Sequence, residues 1–315
     1  MLQLILLRIL ATVPVLLGVS VLTFFLIRAV PGDVVDALAS EEFDNPEAAA
    51  QLRRIFGLDL PLHEQFWMWF SGLLQGDLGN SFRTGRPVLQ EIMDRFPLTL
   101  ELTLAALIVS VLIALPLGVI SATRRNSPLD GGVRIASLLG LSIPNFWLGI
   151  LLIAFFSVYL RWLPSGGSNN FAFSWDHFKF LILPAVTLGT SLAAETMRMT
   201  RSSLLEVLSQ DYVRTSRAKG LSERLVIFRH ALRNSLIPVV TVVGIQTGAL
   251  LGGTVVVEQI FSWSGLGNLV VRSISQRDYP LLQGLIIFLA FFYVAVSLVV
   301  DIIYLYLDPR LRRRG

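Results

Sequence analysis

The sequence predicts an all-α membrane protein with six transmembrane helices and a small helical external segment after the first span. Hydrophobic residues make up 54% of the 315 residues and charged residues only 15%, whereas soluble domains carry roughly 25% charged residues. The charges are also spaced far apart, and a helix needs about 20 apolar residues to cross a bilayer. Five uncharged runs meet that length: 9–27, 102–123, 135–160, 234–257 and 279–300.

A sixth uncharged run, 180–194, is shorter than the other five. Lys179 lies at its start, and a lysine side chain can extend to the membrane interface while its stem stays in the apolar region. Trp175 and Phe178 suit the same boundary, where aromatic residues are enriched. We therefore predict a span at about 178–197. Six spans place both termini on the same side of the membrane.

The distribution of charge predicts which side that is. The segments on the side of the termini are 1–8, 124–134, 195–233 and the tail from Asp301. They hold 16 of the 26 Lys and Arg residues and 7 of the 22 Asp and Glu residues, a net +9 that leaves −5 for the other side. Positive residues near span ends prefer the cytoplasm. Both termini are therefore predicted to be cytoplasmic; a five-span count would place the arginines of 310–314 outside.

The first run has two interpretations, a retained anchor or a cleaved signal peptide. Arg8 supplies a basic start, and Ala37-Leu38-Ala39 has the small residues of a cleavage site. The apolar region of a signal peptide is about 7–15 residues, and this run has 19. Its length predicts a retained anchor.

We divide the chain into a first transmembrane helix (1–30), an external segment (31–98) and a five-helix core (99–315) that contains a cytoplasmic loop, 198–235. Proline favours the start of a helix and glycine its end. In the external segment this pattern predicts one helix between Pro46 and Gly57 and another between Pro61 and Gly76. The second helix carries Phe66, Trp67, Trp69 and Phe70.

The aromatic residues of that second helix allow two roles. Aromatic side chains are typical of helices that lie at the membrane surface, which favours a cap packed on the spans. The alternative is a docking face for an external partner around Trp67 and Trp69.

The fifth span contains Gly244, Gly248 and Gly252, spaced four residues apart. This spacing puts the three glycines on one helix face and predicts close packing against another helix, within the chain or in a second subunit. Gln246 lies on the opposite face. Because an amide in hydrocarbon needs a partner or a water-filled cavity, Gln246 either lines a translocation pathway or bonds to a neighbouring helix.

Pro144-Asn145 interrupts the third span. Proline removes a helical hydrogen bond and kinks the helix, so this pair either exposes carbonyls and an amide to a translocation pathway or forms a structural kink. We place no ionisable residue at the centre of a span, since Glu195 and Asp301 are expected near the cytoplasmic ends. That absence argues against an autonomous secondary transporter, which usually carries a titratable group at mid-depth.

The sequence also argues against catalysis by this chain. It has no cysteine, and its three histidines are far apart and without metal-ligand spacing. No nucleophile and base are predicted at one depth, as a membrane-embedded hydrolase requires. A phosphate-binding loop needs glycine followed by Lys-Ser or Lys-Thr, but Lys179 precedes Phe180 and Lys219 precedes Gly220. We therefore expect no catalytic residue, no metal site and no ATP hydrolysis by this chain.

The long cytoplasmic loop carries eight basic residues between 198 and 233. Asp211 is predicted to cap a helix over 212–219, which Gly220 ends, and Ser222 to cap a second helix. The second helix has an apolar stripe of Leu221, Leu225, Phe228 and Leu232. Such a loop can bind anionic lipid, but a glycine break between two capped helices favours docking to a protein.

The stretch Asp211-Tyr212-Val213-Arg214-Thr215-Ser216-Arg217-Ala218-Lys219-Gly220, continued by His230-Ala231-Leu232-Arg233-Asn234, resembles the permease loop of ATP-binding-cassette importers of the dipeptide, oligopeptide, glutathione and nickel group. The general pattern of that superfamily is Glu-Ala-Ala, three residues, Gly, nine residues and Ile-x-Leu-Pro. Only Gly220 and Leu232 match it, and the departures resemble the peptide branch.

Further stretches of the chain resemble the same family in the same order. They are Arg28-Ala29-Val30-Pro31-Gly32-Asp33, Gly57-Leu58-Asp59-Leu60-Pro61, Gly76-Asp77-Leu78-Gly79, Leu163-Pro164-Ser165-Gly166-Gly167, Phe261-Ser262-Trp263-Ser264-Gly265-Leu266-Gly267, Arg277-Asp278-Tyr279-Pro280 and Asp308-Pro309-Arg310. The resemblance therefore extends over nearly the whole chain.

The resemblance implies a type I importer permease of the bacterial inner membrane. Such a chain pairs with a second, homologous permease, docks two cytoplasmic ATPases that use ATP and Mg, and receives cargo from an external solute-binding protein; it binds no cofactor and no nucleic acid. The loop 211–233 would couple it to an ATPase. The residues concerned are Asp211, Tyr212, Arg214, Thr215, Ser216, Arg217, Ala218, Lys219, Gly220, Leu221, Ser222 and Glu223. The cargo stays open among dipeptides, oligopeptides, glutathione and chelated nickel.

Overall fold

The computed structural model describes residues 2–29, 32, 35–36, 46–167 and 174–307, and this part of the chain forms helices without a β-strand. The helices are α1 (Leu2–Ala29), α2 (Pro46–Ile55), α3 (Leu62–Leu74), α4 (Val88–Thr123), α5 (Pro128–Ser142), α6 (Asn145–Leu152, continued by π-helical turns over Ile153–Tyr159), α7 (Trp175–Leu208), α8 (Asp211–Ala218), α9 (Glu223–Leu225, continued by π-helical turns over Val226–Ala231), α10 (Leu232–Gly253), α11 (Val255–Ile260), α12 (Leu266–Ser275) and α13 (Tyr279–Leu307).

Five stretches of the described chain are long and apolar enough to cross a membrane: Leu10–Ala29, Val88–Thr123, Trp175–Leu208, Glu223–Leu250 and Tyr279–Ile303. The pair α5 and α6 makes a sixth when the two helices are counted as one span. The predicted all-α membrane fold is therefore confirmed. The short run around Phe180, which was the weakest of the six in sequence, lies inside the 34-residue helix α7.

The third span is bent more sharply than the proline-kinked helix expected over 135–160. Helices α5 and α6 are bent by 101° at the break between them. Ile143 (φ −79°, ψ 120°) and Pro144 (φ −62°, ψ 136°) are both extended, because a residue before proline avoids the helical region. Two extended residues turn the chain more sharply than a proline kink within a helix.

The core lies where α4 and α7 run side by side. Leu102 and Ala106 of α4 pack with Leu183 and Leu188 of α7, and Trp263 completes this buried cluster. Helix α4 begins 14 residues before the uncharged run starting at 102, so its first turns extend the span into the external segment. There a second buried cluster joins Val88 and Ile92 of α4 to Leu266 of α12 and to Leu281 and Leu285 of α13.

The external segment contains the two expected helices, α2 and α3. Phe66 and Trp69 of α3 pack on Phe24 of α1, with ring centroids 5.2 and 5.6 Å away. Trp67 and Met68 point away, each 63% exposed. One face of α3 is therefore a cap on the first span, and the opposite face is uncovered. Parts of two family-like stretches, at 30–31 and 33 and at 308–310, and the arginines of the tail lie outside the described residues.

The turn after α11 is built around one fully buried carboxylate. Glu258 accepts hydrogen bonds from Thr99 Oγ1 (2.9 Å), Thr254 Oγ1 (3.2 Å) and the Asn268 amide (3.0 Å). A Cβ atom at Gly265 would collide with that carboxylate, and one at Gly267 would lie 2.7 Å from the Val255 Cα atom. This accounts for the two glycines of the Phe261–Gly267 stretch. Burial raises the pKa of Glu258 above its ordinary value.

Candidate functional site

The loop that the sequence predicts to be cytoplasmic forms helix α8, a break at Gly220 and the short helix α9. Gly220 has φ +76°, a left-handed conformation that glycine adopts freely. The predicted caps are wrong in detail. Asp211 is the first helical residue and Gln210 the cap, since the amides of Val213 and Arg214 both donate to the Gln210 carbonyl.

The second predicted helix also differs from the expectation. Ser222 precedes α9 without a side-chain capping bond. After three residues the chain widens into π-helical turns before it enters α10. The apolar residues therefore do not form one buried stripe: Phe228 is 57% and Leu225 36% exposed, while Val226 is fully buried.

An ion pair closes the glycine break. Arg217 Nε donates to Glu223 Oε2 (3.1 Å) and Arg217 Nη2 to Glu223 Oε1 (2.6 Å). The hydrogen-bonded Glu223 carboxylate raises the pKa of Arg217 above its ordinary value. A bidentate pair of this kind fixes the angle between the two segments it joins. Helices α8 and α9 are thus held as one projecting unit.

This projecting unit is anchored to the start of the fifth span. Val213 of α8 is fully buried. The Tyr212 hydroxyl accepts a hydrogen bond from Asn234 Nδ2 (2.8 Å) and donates a longer one to the His230 carbonyl (3.4 Å). A displacement of α8 would therefore be transmitted directly to α10.

The outward surface of the unit combines charge with apolar area. Arg214 is 78% exposed at its side chain, and Phe228 is the largest exposed apolar side chain of the loop. Thr215 and Ser216 bond instead to carbonyls one turn back, at Asp211 (2.9 Å) and Tyr212 (2.8 Å). Those two hydroxyls stabilise α8 and are not directed outward. The remaining residues of the predicted coupling set, Ala218, Lys219, Leu221 and Ser222, lie on the same projecting unit around Gly220.

A buried ion pair beside the loop was not anticipated from the sequence. Arg201 of α7 forms two hydrogen bonds with Asp130 of α5, which also accepts from Ser121 Oγ (2.5 Å) and the Asn126 amide (3.0 Å). Asp130 is the sole acidic residue of the inner segment 124–134. That fact marks it as unusual, but it does not identify Arg201 among the eight basic residues of the loop.

The glycine face of α10 lies against α13. A Cβ atom at Gly244 would lie 2.5 Å from Val300 Cγ1, and one at Gly248 would lie 2.9 Å from Tyr293 Cε2. Helices α10 and α13 therefore approach closely at these two positions, within the chain. The surroundings of Gly252 lie outside the described residues.

The two candidate pathway residues have different surroundings. Gln246 is buried, accepts from Thr196 Oγ1 (3.1 Å) and donates to Glu195 Oε2 (3.0 Å), so it makes the interhelical bonds that were one of its two interpretations. Asn145 is half-buried at the start of α6, and no hydrogen bond of its side chain is found within the described residues. Nor do the described His, Asp and Glu residues form a cluster able to hold a metal ion.

Comparisons with known proteins cover almost the full chain. Residues 114–313 match the family "Binding-protein-dependent transport system inner membrane component", and residues 1–103 match its N-terminal family. The glutathione transport system permease protein GsiC of Escherichia coli (strain K12) is 44% identical over 312 residues, 99% of each chain. The oligopeptide transport system permease protein AppB of Bacillus subtilis (strain 168) is 43% identical over 308 residues, 96% of this chain and 97% of the relative.

A solved structure also shares the fold. A chain of the MetNI methionine ABC transporter, in an inward-facing conformation, aligns with a TM-score of 0.56 at 20% identity over 70% of this chain and 97% of that one. At this identity the likeness shows the fold alone.

Proposed function

This chain belongs to the family of binding-protein-dependent transport system inner membrane components, and we propose that it is the permease subunit of an ATP-driven importer of dipeptides or oligopeptides. The relatives GsiC and AppB, named for transport of glutathione and an oligopeptide, support a peptide cargo. Glutathione itself and chelated nickel are the alternative cargoes within this class.

The observation that carries the coupling role is the projecting unit α8–Gly220–α9. It exposes Phe228 and Arg214 at its surface, while Tyr212 and Val213 connect it to the rest of the chain next to α10. An aromatic or arginine side chain on an uncovered surface is typical of the residues that dominate protein interfaces. We propose that a cytoplasmic ATPase binds this surface and that closure of two ATPases moves the unit as a rigid body.

The chain would act as a non-ATPase subunit. It would form half of the pathway with a second, homologous permease in the bacterial inner membrane, and an external solute-binding protein would deliver cargo to it. Both termini would be cytoplasmic, as the net +9 of the inner segments favours. The uncovered face of α3 around Trp67 is available either to the solute-binding protein or to the membrane surface.

Co-purification tests this assignment. The chain carries an affinity tag and is expressed with candidate partner subunits; we expect recovery of a second permease and of ATPase subunits. We also expect ATP hydrolysis by the recovered complex to rise when peptide-loaded solute-binding protein is added. Recovery of the chain alone, or hydrolysis indifferent to the loaded binding protein, would refute the proposal. Binding measurements on that solute-binding protein then identify the cargo.

The main sequence argument against the second functional class, an autonomous secondary transporter, is weakened by the position of Glu195. That argument was the absence of an ionisable group at the centre of a span. Glu195, however, forms a hydrogen bond with Gln246, at the centre of the uncharged run 234–257. The preference for an importer subunit over a secondary transporter therefore rests on the family match.

A further inference from the structure

Helices α5 and α7 border an open cavity of about 480 Å³ that is lined partly by charged side chains. Its lining includes Arg134 of α5 and Glu195, Arg198 and Ser202 of α7. All four side chains are exposed at the surface of the chain. They therefore face a space outside this subunit's own core.

The deepest of these groups, Glu195, lies level with the centres of two uncharged runs of the sequence. Ala114 packs with Ala193 and Met197, which places Glu195 level with Ala114. Ala114 is near the centre of the uncharged run 102–123. The hydrogen bond to Gln246 gives the same depth independently, because Gln246 is at the centre of the uncharged run 234–257. Both neighbours place Glu195 further from the end of its span than the position expected from the sequence.

An exposed carboxylate at this depth requires a polar environment. A charged side chain at the bilayer centre is costly against lipid and faces a water-filled space or another polar group. Gln246 Nε2 supplies one hydrogen bond from within the chain, at 3.0 Å, and fixes the orientation of the Glu195 carboxylate. The rest of the carboxylate faces the cavity. The cavity therefore extends from Arg134, at the cytoplasmic end of the uncharged run 135–160, to mid-depth.

The charges in the cavity are arranged by depth. Arg201 is neutralised by Asp130, whereas neither Arg134 nor Arg198 forms an ion pair with an acidic side chain in the described part of the chain. The carboxylate thus lies deepest and the unpaired guanidinium groups lie nearer the cytoplasm. Glu195 and Arg198 are three residues apart, so their Cβ atoms are about 5–6 Å apart on one helix face. A dipeptide has a comparable extent, since two extended residues span about 7 Å.

We propose that Glu195 and Arg198 line the inner half of the translocation pathway and bind the two charged ends of a short zwitterionic peptide. Glu195 accepts hydrogen bonds from the peptide ammonium group, and Arg198 donates to its carboxylate. Gln246 is a positioning residue that holds the Glu195 carboxylate in place. The inference rests on the proposed function for its choice of peptide as cargo, but the site itself is tested without transport.

The absence of native cysteine in this chain makes a thiol-protection experiment direct. Ser202→Cys places one thiol in the cavity lining without altering a charge. Ile120→Cys is the matched control. A Cβ atom at Gly118 would lie 2.7 Å from Thr200, so Ile120 and Ser202, each two residues further along, lie at one level, and Ile120 is 39% exposed on α4. Each variant is assembled into the complete importer in inside-out vesicles, without ATP, and treated with a membrane-impermeant thiol reagent. The readout is the labelling rate of this chain.

We expect Ser202→Cys to react at least tenfold faster than Ile120→Cys. Millimolar Ala-Ala, which carries both charges, should slow the reaction, and N-acetyl-Ala-Ala-amide, which carries neither, should not. Adding Glu195→Gln should raise the Ala-Ala concentration needed for protection about tenfold or more, as expected when a charge-assisted hydrogen bond is lost. Glu195→Asp, which keeps the charge, should restore part of the protection.

Three results would overturn the proposal. Reaction of Ser202→Cys no faster than that of Ile120→Cys would mean that the cavity is closed by lipid or by a partner subunit. Ala-Ala and its uncharged analogue protecting equally, or not at all, would exclude a site for peptide charges. Protection unchanged by Glu195→Gln would exclude Glu195 as the group that binds the peptide ammonium. Because no ATP is used, failure of ATP-driven uptake refutes the proposed function and not this site.

Discussion

Arg201 and Asp130 form a bidentate ion pair, with Nε–Oδ1 2.8 Å and Nη2–Oδ2 2.9 Å. Asp130 is almost fully buried, at 1% side-chain exposure. Because Ser121 also donates to Asp130, this pair joins the end of α4, the start of α5 and the inner part of α7. It fixes the inner loop next to the segment that leads into α8.

Removal of the Arg201 guanidinium should destabilise the protein markedly. Arg201→Met leaves a buried carboxylate without its charge partner, which typically costs about 3–5 kcal/mol; Arg201 is 22% exposed, so we expect the lower end. Arg86→Met is the control, since its pair with Asp94 is about half exposed and such pairs contribute about 1 kcal/mol or less. Thermal unfolding of the purified complex measures both, and equal losses would show that the buried pair is no more important than the exposed one.

Substitution of Gly220 should weaken the coupling between the loop and the ATPase, and the loss should be larger for residues that disfavour a positive φ. No neighbouring atom lies within 4 Å of a Cβ placed at Gly220, so its positive φ is the constraint. Gly220→Val should lower stimulated ATP hydrolysis and uptake in the assembled complex, because a left-handed conformation costs about 1–2 kcal/mol for most residues. Gly220→Asn should retain more of both, since asparagine tolerates this region. Retention of both activities by Gly220→Val would refute the coupling role.

Phe228 should be important for binding of the ATPase. Phe228→Asp puts a charge in the centre of the proposed interface, and loss of an aromatic anchor of this kind costs about 2 kcal/mol or more. We expect recovery of ATPase subunits in co-purification to fall severalfold. Ile55→Asp, at an even more exposed apolar position on α2, serves as the control. A similar loss of ATPase recovery in both variants would show that Phe228→Asp acts by destabilising the protein and not by disrupting an interface.

Substitutions at Gly248 and Tyr293 should have non-additive effects on stability, because the two residues are in contact. Gly248→Ala places a methyl group 2.9 Å from the Tyr293 ring, and overpacking of this kind costs about 1–3 kcal/mol. Tyr293→Ala should remove most of the added penalty, so the double variant should be more stable than the sum of the single effects predicts. Gly18→Ala, with no atom within 4 Å, is the control. Additive effects in thermal unfolding would exclude the contact.

Glu258 should make stability depend on pH. Burial raises its pKa in the folded protein, so the folded state retains the proton at a pH where the unfolded chain has lost it. The stabilisation is complete below the ordinary glutamate pKa and is lost as the pH rises through the raised value. Glu258→Gln should remove this component from the pH dependence of thermal unfolding. An unchanged pH profile in that variant would contradict the raised pKa of Glu258.

The hydrophobic pattern was sufficient for the broad fold and insufficient for helix geometry. Uncharged runs located the spans because charge is excluded from hydrocarbon, and Gly220 marked the loop break because few residues adopt positive φ. The 101° bend at Pro144 requires two successive extended residues, whereas proline alone predicts only a kink. Similarly, the π-helical turns over Val226–Ala231 do not follow the 3.6-residue spacing on which the predicted apolar stripe depended.

Hydrogen bonds and ion pairs between residues far apart in the chain could not be predicted from the sequence. Asp130 is the sole acid of the segment 124–134 and Glu258 directly follows the uncharged run 234–257. Their partners Arg201 and Thr99 reach them only when α4, α5, α7 and α11 pack together. The position of Glu195 along its span likewise depends on how the helices pack. Counting along the uncharged runs placed Glu195 at the end of a span, whereas its bond joins it to Gln246, at the centre of the run 234–257.

Uptake by the assembled importer in sealed vesicles is the decisive experiment for the proposed function. Vesicles contain this chain, its second permease and the ATPases, with the solute-binding protein and a radiolabelled dipeptide on the opposite side from ATP. We predict accumulation of the dipeptide against its gradient only when ATP, the ATPases and the binding protein are all present. Vesicles with this chain alone should show none, with or without a proton or sodium gradient. Accumulation by the chain alone, driven by an ion gradient and independent of ATP, would show that it is a secondary transporter and not an importer subunit.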